Sequence, residues 1–218
     1  MRVLYISASN MLGVAGAQST SRKICEIAEH EIRRRQKDAG HTIIELKKHV
    51  ILPCIGCGKC RSTHRCVQRD DFNQIYTEII ASDVIVIVSP HYAPIPAKLS
   101  ALLEKMEQIT FLHWGKDNAY KSKVYGKPTG IISHGGGASW ALNSYKRMVN
   151  DTIANALETI QLKPVPLNGE WNTGISIPLA NAAFSSDMLF PKQEYDWNDI
   201  TVQISDYVEQ ILRAAKQL

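Results

Sequence analysis

Four of the five cysteines fall within one short stretch, PCIGCGKCRSTHRCVQRDD, running from Pro53 to Asp71: Cys54, Cys57, Cys60 and Cys66. Thiolates separated by two residues and then two more can converge on one centre. Each short turn returns the next sulfur to the same side, and a fourth thiolate completes the set. Gly56 and Gly58 let the chain bend tightly. Lys59, Arg61 and Arg65 place positive charge beside what would be an anionic centre. Three chemistries fit the cysteines: an iron–sulfur cluster, a zinc ion, or thiols that are themselves redox-reactive. Zinc sites more often pair two CxxC knuckles set far apart. No proline follows Cys66, so the spacing is not the bacterial ferredoxin run. Cys25 falls on the apolar face of a helical pattern and reads as core.

Three further stretches carry groups that suit a phosphate or a planar ligand. The first, ASNMLGVAGAQSTS, together with the preceding Ser7, places Ser7, Ser9, Ser19, Thr20 and Ser21 around flexible glycines just before a helical pattern. Hydroxyls and free amides at a helix start suit a phosphate monoester, although Ser and Thr there also serve as simple caps. The stretch has neither GxGxxG nor the Walker GK(S/T), so neither fingerprint applies. The second, SPHYAPIPAK, is stiffened by Pro90, Pro94 and Pro96, and offers His91 and Tyr92 as rings or polar edges. The third, SHGGGAS, has Gly135, Gly136 and Gly137 in succession after Ser133 and His134. Backbone without side chains can approach a flat ring closely; the same run also reads as a plain turn, and His134 alone as a structural histidine.

The elements that must position these groups alternate. Arg2–Ser7 reads as a short buried strand. Apolar Ile24, Ile27, Ala28 and Ile32 then recur at helical spacing up to a stop at Gly40. Thr42–Leu46 is a second strand, and a helix capped by Asp70 or Asp71 runs to Ala81. Val84–Val88 is a β-branched run expected of a central parallel strand buried on both faces. A helix begins at Ala97. Glu107–Lys127 reads as an irregular polar insertion, Thr129–Ser133 as a fourth strand, and Trp140–Ile160 as one long helix. Lys163–Asn168, with Pro164 and Pro166, is a fifth strand at the sheet edge. Gly169–Asp196 shows no periodicity, and an amphipathic helix closes the chain from Asp199. Alternation of this kind predicts an α/β fold: a doubly wound, five-stranded parallel sheet of flavodoxin-like order 2-1-3-4-5, with helices on both faces. Ligands of such a sheet sit at the carboxyl ends of the strands, where the stretches after Ser7, Val88 and Ser133 meet.

The chain has 218 residues, 44% of them hydrophobic. That is enough for a core without a disulfide or metal staple, so the clustered cysteines read as functional. It is expected to form one domain over residues 1–218, with a cysteine-rich loop at 53–71. The apolar start is too short for a signal peptide, and no run reaches the roughly 18 apolar residues that span a bilayer. A cytoplasmic location, with no membrane or nucleic-acid partner, is therefore expected, and it disfavours disulfides. The net charge is +4. Its densest basic run, Arg33–Lys37, suits a helix C-terminus, or else a docking patch for an acidic partner or phosphate.

SPHYAPIPAKLSALLEKM resembles the pattern S-P-x-Y-x-x-x-x-A-x-(L/M)-K-x-x-(I/L)-D-(R/K) of the NAD(P)H-dependent FMN reductase family. STSRKI matches that family's phosphate loop in its last hydroxyl and helix start. The spacing C-x2-C-x2-C-x5-C after the second strand is similar to its iron–sulfur flavoprotein branch. The resemblance covers Arg2 to about Ile160. It implies FMN, with the phosphate in the loop of Ser9, Ser19, Thr20 and Ser21. The isoalloxazine would lie against Pro90, His91, Tyr92 and Ala93, with Ser133 and Gly135–Gly137 on its other edge. It also implies a 4Fe-4S cluster on Cys54, Cys57, Cys60 and Cys66, and NAD(P)H as a co-substrate. Departures stand at Met11, where a basic residue is customary, at Ser19-Thr20 in place of Gly-Asn, and at Ala93-Pro94. The expected activity is electron transfer between a reduced donor and an acceptor, either a partner protein or a small molecule. This chemistry needs no side chain as an acid or base, and no catalytic residue is expected. The alternatives are a cluster-free reductase of flavins, quinones or nitro compounds, and a non-enzymatic FMN-dependent carrier or regulator. Relatives of this kind imply a homodimer or dimer of dimers.

Overall fold

A computed structural model describes residues 1–10, 19–183 and 192–217. Its sheet is built from β1 (Arg2–Ser7), β2 (Gly40–Glu45), β3 (Val84–Pro90), β4 (Pro128–His134) and β5 (Lys163–Pro164). They lie parallel in the order β2-β1-β3-β4-β5, the doubly wound order expected from the alternation. The period of two in the strands sorts the core into two faces. Leu4, Ile6, Ile85, Ile87 and Ile131 face α3 (Phe72–Ala81), α4 (Ala97–Trp114) and α6 (Asp151–Thr159). Val3, Tyr5, Val84, Val86, Val88 and Ile132 face α1 (Thr20–Arg35) and α7 (Trp197–Ala215). Cys25 is fully buried on that second side, and burial pushes its thiol up. Two short helical pieces also occur among the described residues: α2 (Cys60–Thr63) and α5 (Leu142–Tyr145). The three arginines of the basic run at the end of α1 are paired. Arg33 meets Glu29, Arg34 and Arg35 meet Glu31, and Arg35 also reaches Ser205 of α7.

Three expectations are corrected. α4 continues to Trp114, so the first third of the supposed insertion is helix. Ile109, Thr110 and His113 extend the buried stripe of Leu99, Leu102 and Met106, and the polar residues between them only mark its solvent side. The helix expected over 140–160 is four pieces: a 3-10 turn at Ser139–Ala141, α5, a π-helical turn at Lys146–Asn150, and α6. The fifth strand is only two residues long, and the chain returns to the same edge as β6 (Ile175–Ile177) beside Ile132–His134. Gly174 makes the return at φ +117; a Cβ there would lie 2.2 Å from the Ile131 carbonyl oxygen. A separate antiparallel pair, β7 (Asn181–Ala183) and β8 (Lys192–Glu194), follows.

Where the edge strand departs, a side chain replaces it. The Tyr207 hydroxyl, fully buried on α7, accepts the Ile131 amide at 3.0 Å and donates to the Val165 carbonyl at 2.7 Å. A buried backbone donor and acceptor are thus satisfied by one group. Tyr207→Phe leaves both without a partner and is expected to cost about 1–3 kcal/mol. Urea unfolding followed by circular dichroism reads this as a lower midpoint with an unchanged slope.

Candidate functional site

The three ligand-suited stretches meet at the carboxyl edge of the sheet. β3 and β4 end side by side, with Pro90 opposite His134. The His91 amide donates to the His134 carbonyl at 2.9 Å. Nε2 of His134 lies 2.7 Å from the Ser21 hydroxyl, joining the third stretch to the first. The His91 ring lies 5.7 Å from that of Tyr145, whose hydroxyl accepts the Gly137 amide at 2.6 Å. Tyr195 donates to the Gly135 carbonyl at 3.4 Å and also hydrogen-bonds the Thr20 side chain.

The hydroxyls expected at the phosphate loop divide. Ser9 is buried just beyond β1. Ser19 caps α1, its oxygen accepting the Arg22 amide at 3.3 Å. Thr20 opens the helix and is half-buried, whereas Ser21 is wholly buried against His134. Residues 11–18, with Met11 and the loop glycines, lie outside the described residues. In the second stretch Tyr92 is exposed, and Ala93 takes a left-handed φ of 48°. Nε2 of His91 is buried with no hydrogen-bond partner among the described residues. In the third, Ser133 is buried and shares a 2.7 Å hydrogen bond with Ser176, and Gly136 is exposed. Gly135 and Gly137 have a use beyond ring access, because Cβ atoms there would fall 2.5 Å from the Tyr145 hydroxyl and 2.5 Å from Ala141 Cβ. Tyr145 and Tyr195 carry no site signal in the sequence. Tyr145 follows the glycine run by eight residues, but the irregular helix between them hides which way it faces.

The cysteine loop is closed by its two aspartates. Asp71 accepts the Val50 amide through its side chain, and its own amide donates to the Val50 carbonyl. Asp70 accepts the amides of Leu52 at 2.8 Å and Phe72 at 3.2 Å, and pairs with Lys105 of α4 at 2.5 Å. Burial alone would raise the Asp70 carboxyl, but Lys105 and the two amides together hold it below its ordinary range. Glu104, the neighbour of Lys105, accepts the Cys54 amide at 3.0 Å. Asn73 brackets Cys66 from both sides, accepting its amide and donating to its carbonyl. Gly56 and Gly58 adopt left-handed φ values of 62° and 67°, which ordinary side chains resist. At the far side His64 stacks on His113 of α4 with ring centres 3.6 Å apart, and Lys116 donates to the Arg61 carbonyl.

Within this frame Cys54, Cys57, Cys60 and Cys66 line one small, partly open cavity with Ile55 and Lys105. All four are free thiols. Burial, together with the nearby Cys54, Cys57 and Cys66, raises the Cys60 thiol. Among the described residues no three His, Cys, Asp or Glu side chains stand close enough to share one metal ion. The cations named from the sequence, Lys59, Arg61 and Arg65, are all exposed. The buried cation at this cavity is Lys105, which sequence spacing does not bring near the cysteines.

His134 gives the first site a pH signature. Burial lowers its imidazole from 6.5 to about 4. Between those values the unfolded chain takes up a proton that the folded chain refuses, so stability falls as pH drops from 6.5 towards about 4. The loss is on the order of 3 kcal/mol across that window. Urea midpoints measured through it are expected to fall more steeply for the parent than for His134→Gln; equal slopes would contradict the assignment.

No described helix is long and apolar enough to cross a membrane. The chain is 37% identical over 75 residues to an iron–sulfur flavoprotein of Methanosarcina thermophila, covering 34% of this chain and 37% of that protein. It is 28% identical over 102 residues to an iron–sulfur flavoprotein of Archaeoglobus fulgidus, covering 46% of each. The chain thus spans less than half the length of these curated relatives. Its fold is similar to that of RosB with bound 8-demethyl-8-formylriboflavin-5'-phosphate, with a TM-score of 0.61, 13% identity, and coverage of 100% of this chain and 80% of that one. Residues 1–169 match the family model described as NADPH-dependent FMN reductase, and the chain belongs to that family of oxidoreductases.

Proposed function

We propose that the chain binds FMN at the carboxyl edge of the sheet and a 4Fe–4S cluster in the cysteine cavity, passing electrons between a reduced donor and an acceptor. The observation that carries the second centre is the cavity itself. Four thiols from a thirteen-residue span line it, and the loop is anchored through the backbone amides of Leu52, Cys54 and Cys66. Four thiolates are the donor set of a cubane cluster, and the two relatives named iron–sulfur flavoprotein favour the same reading.

For FMN, the family is the first support. The orphaned Nε2 of His91 is the second, since a buried polar atom calls for a partner. Ser9, Ser19 and Thr20, with the amides at the start of α1, would take the phosphate. Ser21 would support them from behind through His134. Pro90, His91, Tyr92 and Ala93 would flank the ring on one edge, and Gly135, Gly136 and Gly137 on the other, over the buried Ser133. When bound, the flavin supplies hydride and single-electron chemistry. The protein's part is to hold it, shield it and set its surroundings. NAD(P)H is the co-substrate suggested by the family description.

A second reading keeps the flavin and leaves the cysteines as reactive thiols in a cluster-free reductase. It is favoured by the absence, among the described residues, of three ligands close enough for one ion. Cys57→Ala separates the two. Cys57 is exposed, so its loss spares the core. After anaerobic reconstitution with iron and sulfide, the parent is expected to retain iron and Cys57→Ala to lose most of it. Both are expected to bind FMN alike and at least tenfold more tightly than riboflavin, which lacks the phosphate. Iron-free parent protein would overturn the cluster, and equal binding of FMN and riboflavin would overturn the phosphate loop.

A further inference from the structure

Lys105 is a lysine with 1% of its side chain exposed, opposite an aspartate with none. Taking an ammonium out of water costs several kcal/mol unless it is well paired. An ammonium has three N–H donors, and among the described residues Asp70 is its one hydrogen-bond acceptor. The remaining donors belong to a residue that lines the thiol cavity. Asp70 meanwhile directs both oxygens to the backbone amides of Leu52 and Phe72 as well as to Lys105. It does not line the cavity. The pair is therefore a buried dipole whose lysine lines the cavity of the four cysteines and whose aspartate sits in the loop closure. The Phe72 ring, 5.4 Å from Nζ, further screens it from water.

We propose that Lys105 is a charge-tuning residue that raises the reduction potential of the centre held by Cys54, Cys57, Cys60 and Cys66. This rests on the cluster reading above. One electron taken from an external reductant adds one negative charge to an already anionic, four-thiolate centre. A fixed positive charge at the wall of a partly enclosed cavity stabilises the more negative form, and the low local dielectric strengthens the effect. The exposed Lys59, Arg61 and Arg65 are screened by solvent and contribute less.

The test is a redox titration of the flavin-loaded, iron-reconstituted protein with dithionite and mediators. The cluster is followed by electron paramagnetic resonance and the flavin by absorbance. Removing Lys105 alone strands a buried carboxylate, so the charge is removed from both partners in Lys105→Met with Asp70→Asn. This double variant is expected to keep its iron while its cluster becomes at least tenfold harder to reduce. That is a fall of about 59 mV for one electron. Lys105→Arg is expected to keep the parental cluster potential, and the flavin potential to stay fixed in all three proteins. Should the methionine version lose its iron, Lys105→Gln with Asp70→Asn restores a hydrogen bond without the charge, and the same fall is required of it. An unchanged cluster potential in an iron-loaded neutral variant overturns the assignment of Lys105 alone. A parent that binds no iron overturns the reading of the site, and this assignment with it.

Discussion

Asp70 exposes none of its side chain, and that constraint dictates how the cysteine loop closes. A carboxylate removed from water must be satisfied on both oxygens. Here one end of the loop supplies the Leu52 amide, the other end the Phe72 amide, and α4 the Lys105 ammonium. Loop entry, loop exit and the neighbouring helix therefore meet at a single group. Displacing any one of them leaves a buried charge incompletely paired. The loop of small turns and left-handed glycines is held by its ends and by its contacts with α4.

α4 ties the two sites together. It starts directly after the stretch that carries Pro90, His91 and Tyr92. In its middle, Glu104 and Lys105 grip the cysteine loop, and near its end His113 stacks on His64. The sheet edge and the cysteine cavity are thus two attachments of one rigid element. Such an arrangement would keep the two proposed centres at a fixed separation.

Much of this was legible in the sequence. The VIVIV run and the strand–helix alternation imposed the parallel sheet and its order, because buried parallel strands leave a continuous apolar signature. The cysteine spacing marked one loop as chemical. The rest was hidden for identifiable reasons. The end of α4 carries its buried stripe on Thr110 and His113, residues that hydropathy reads as polar. The edge strand is interrupted after Pro164, and its missing hydrogen bonds are made by Tyr207, some forty residues later in sequence. Tyr145, Tyr195 and Lys105 reach their sites through tertiary packing, which no local period encodes. Lys105 stands 35 residues from its partner Asp70.

The most direct measurement is the content of flavin, iron, sulfide and zinc, with the absorption spectrum, in a single sample purified without oxygen. One FMN and about four irons per chain, the complement of a four-thiolate cubane, are expected. They would appear with a broad absorption shoulder beside the flavin bands. Flavin bands with no iron, or with zinc in its place, would contradict a second redox centre in the cysteine loop.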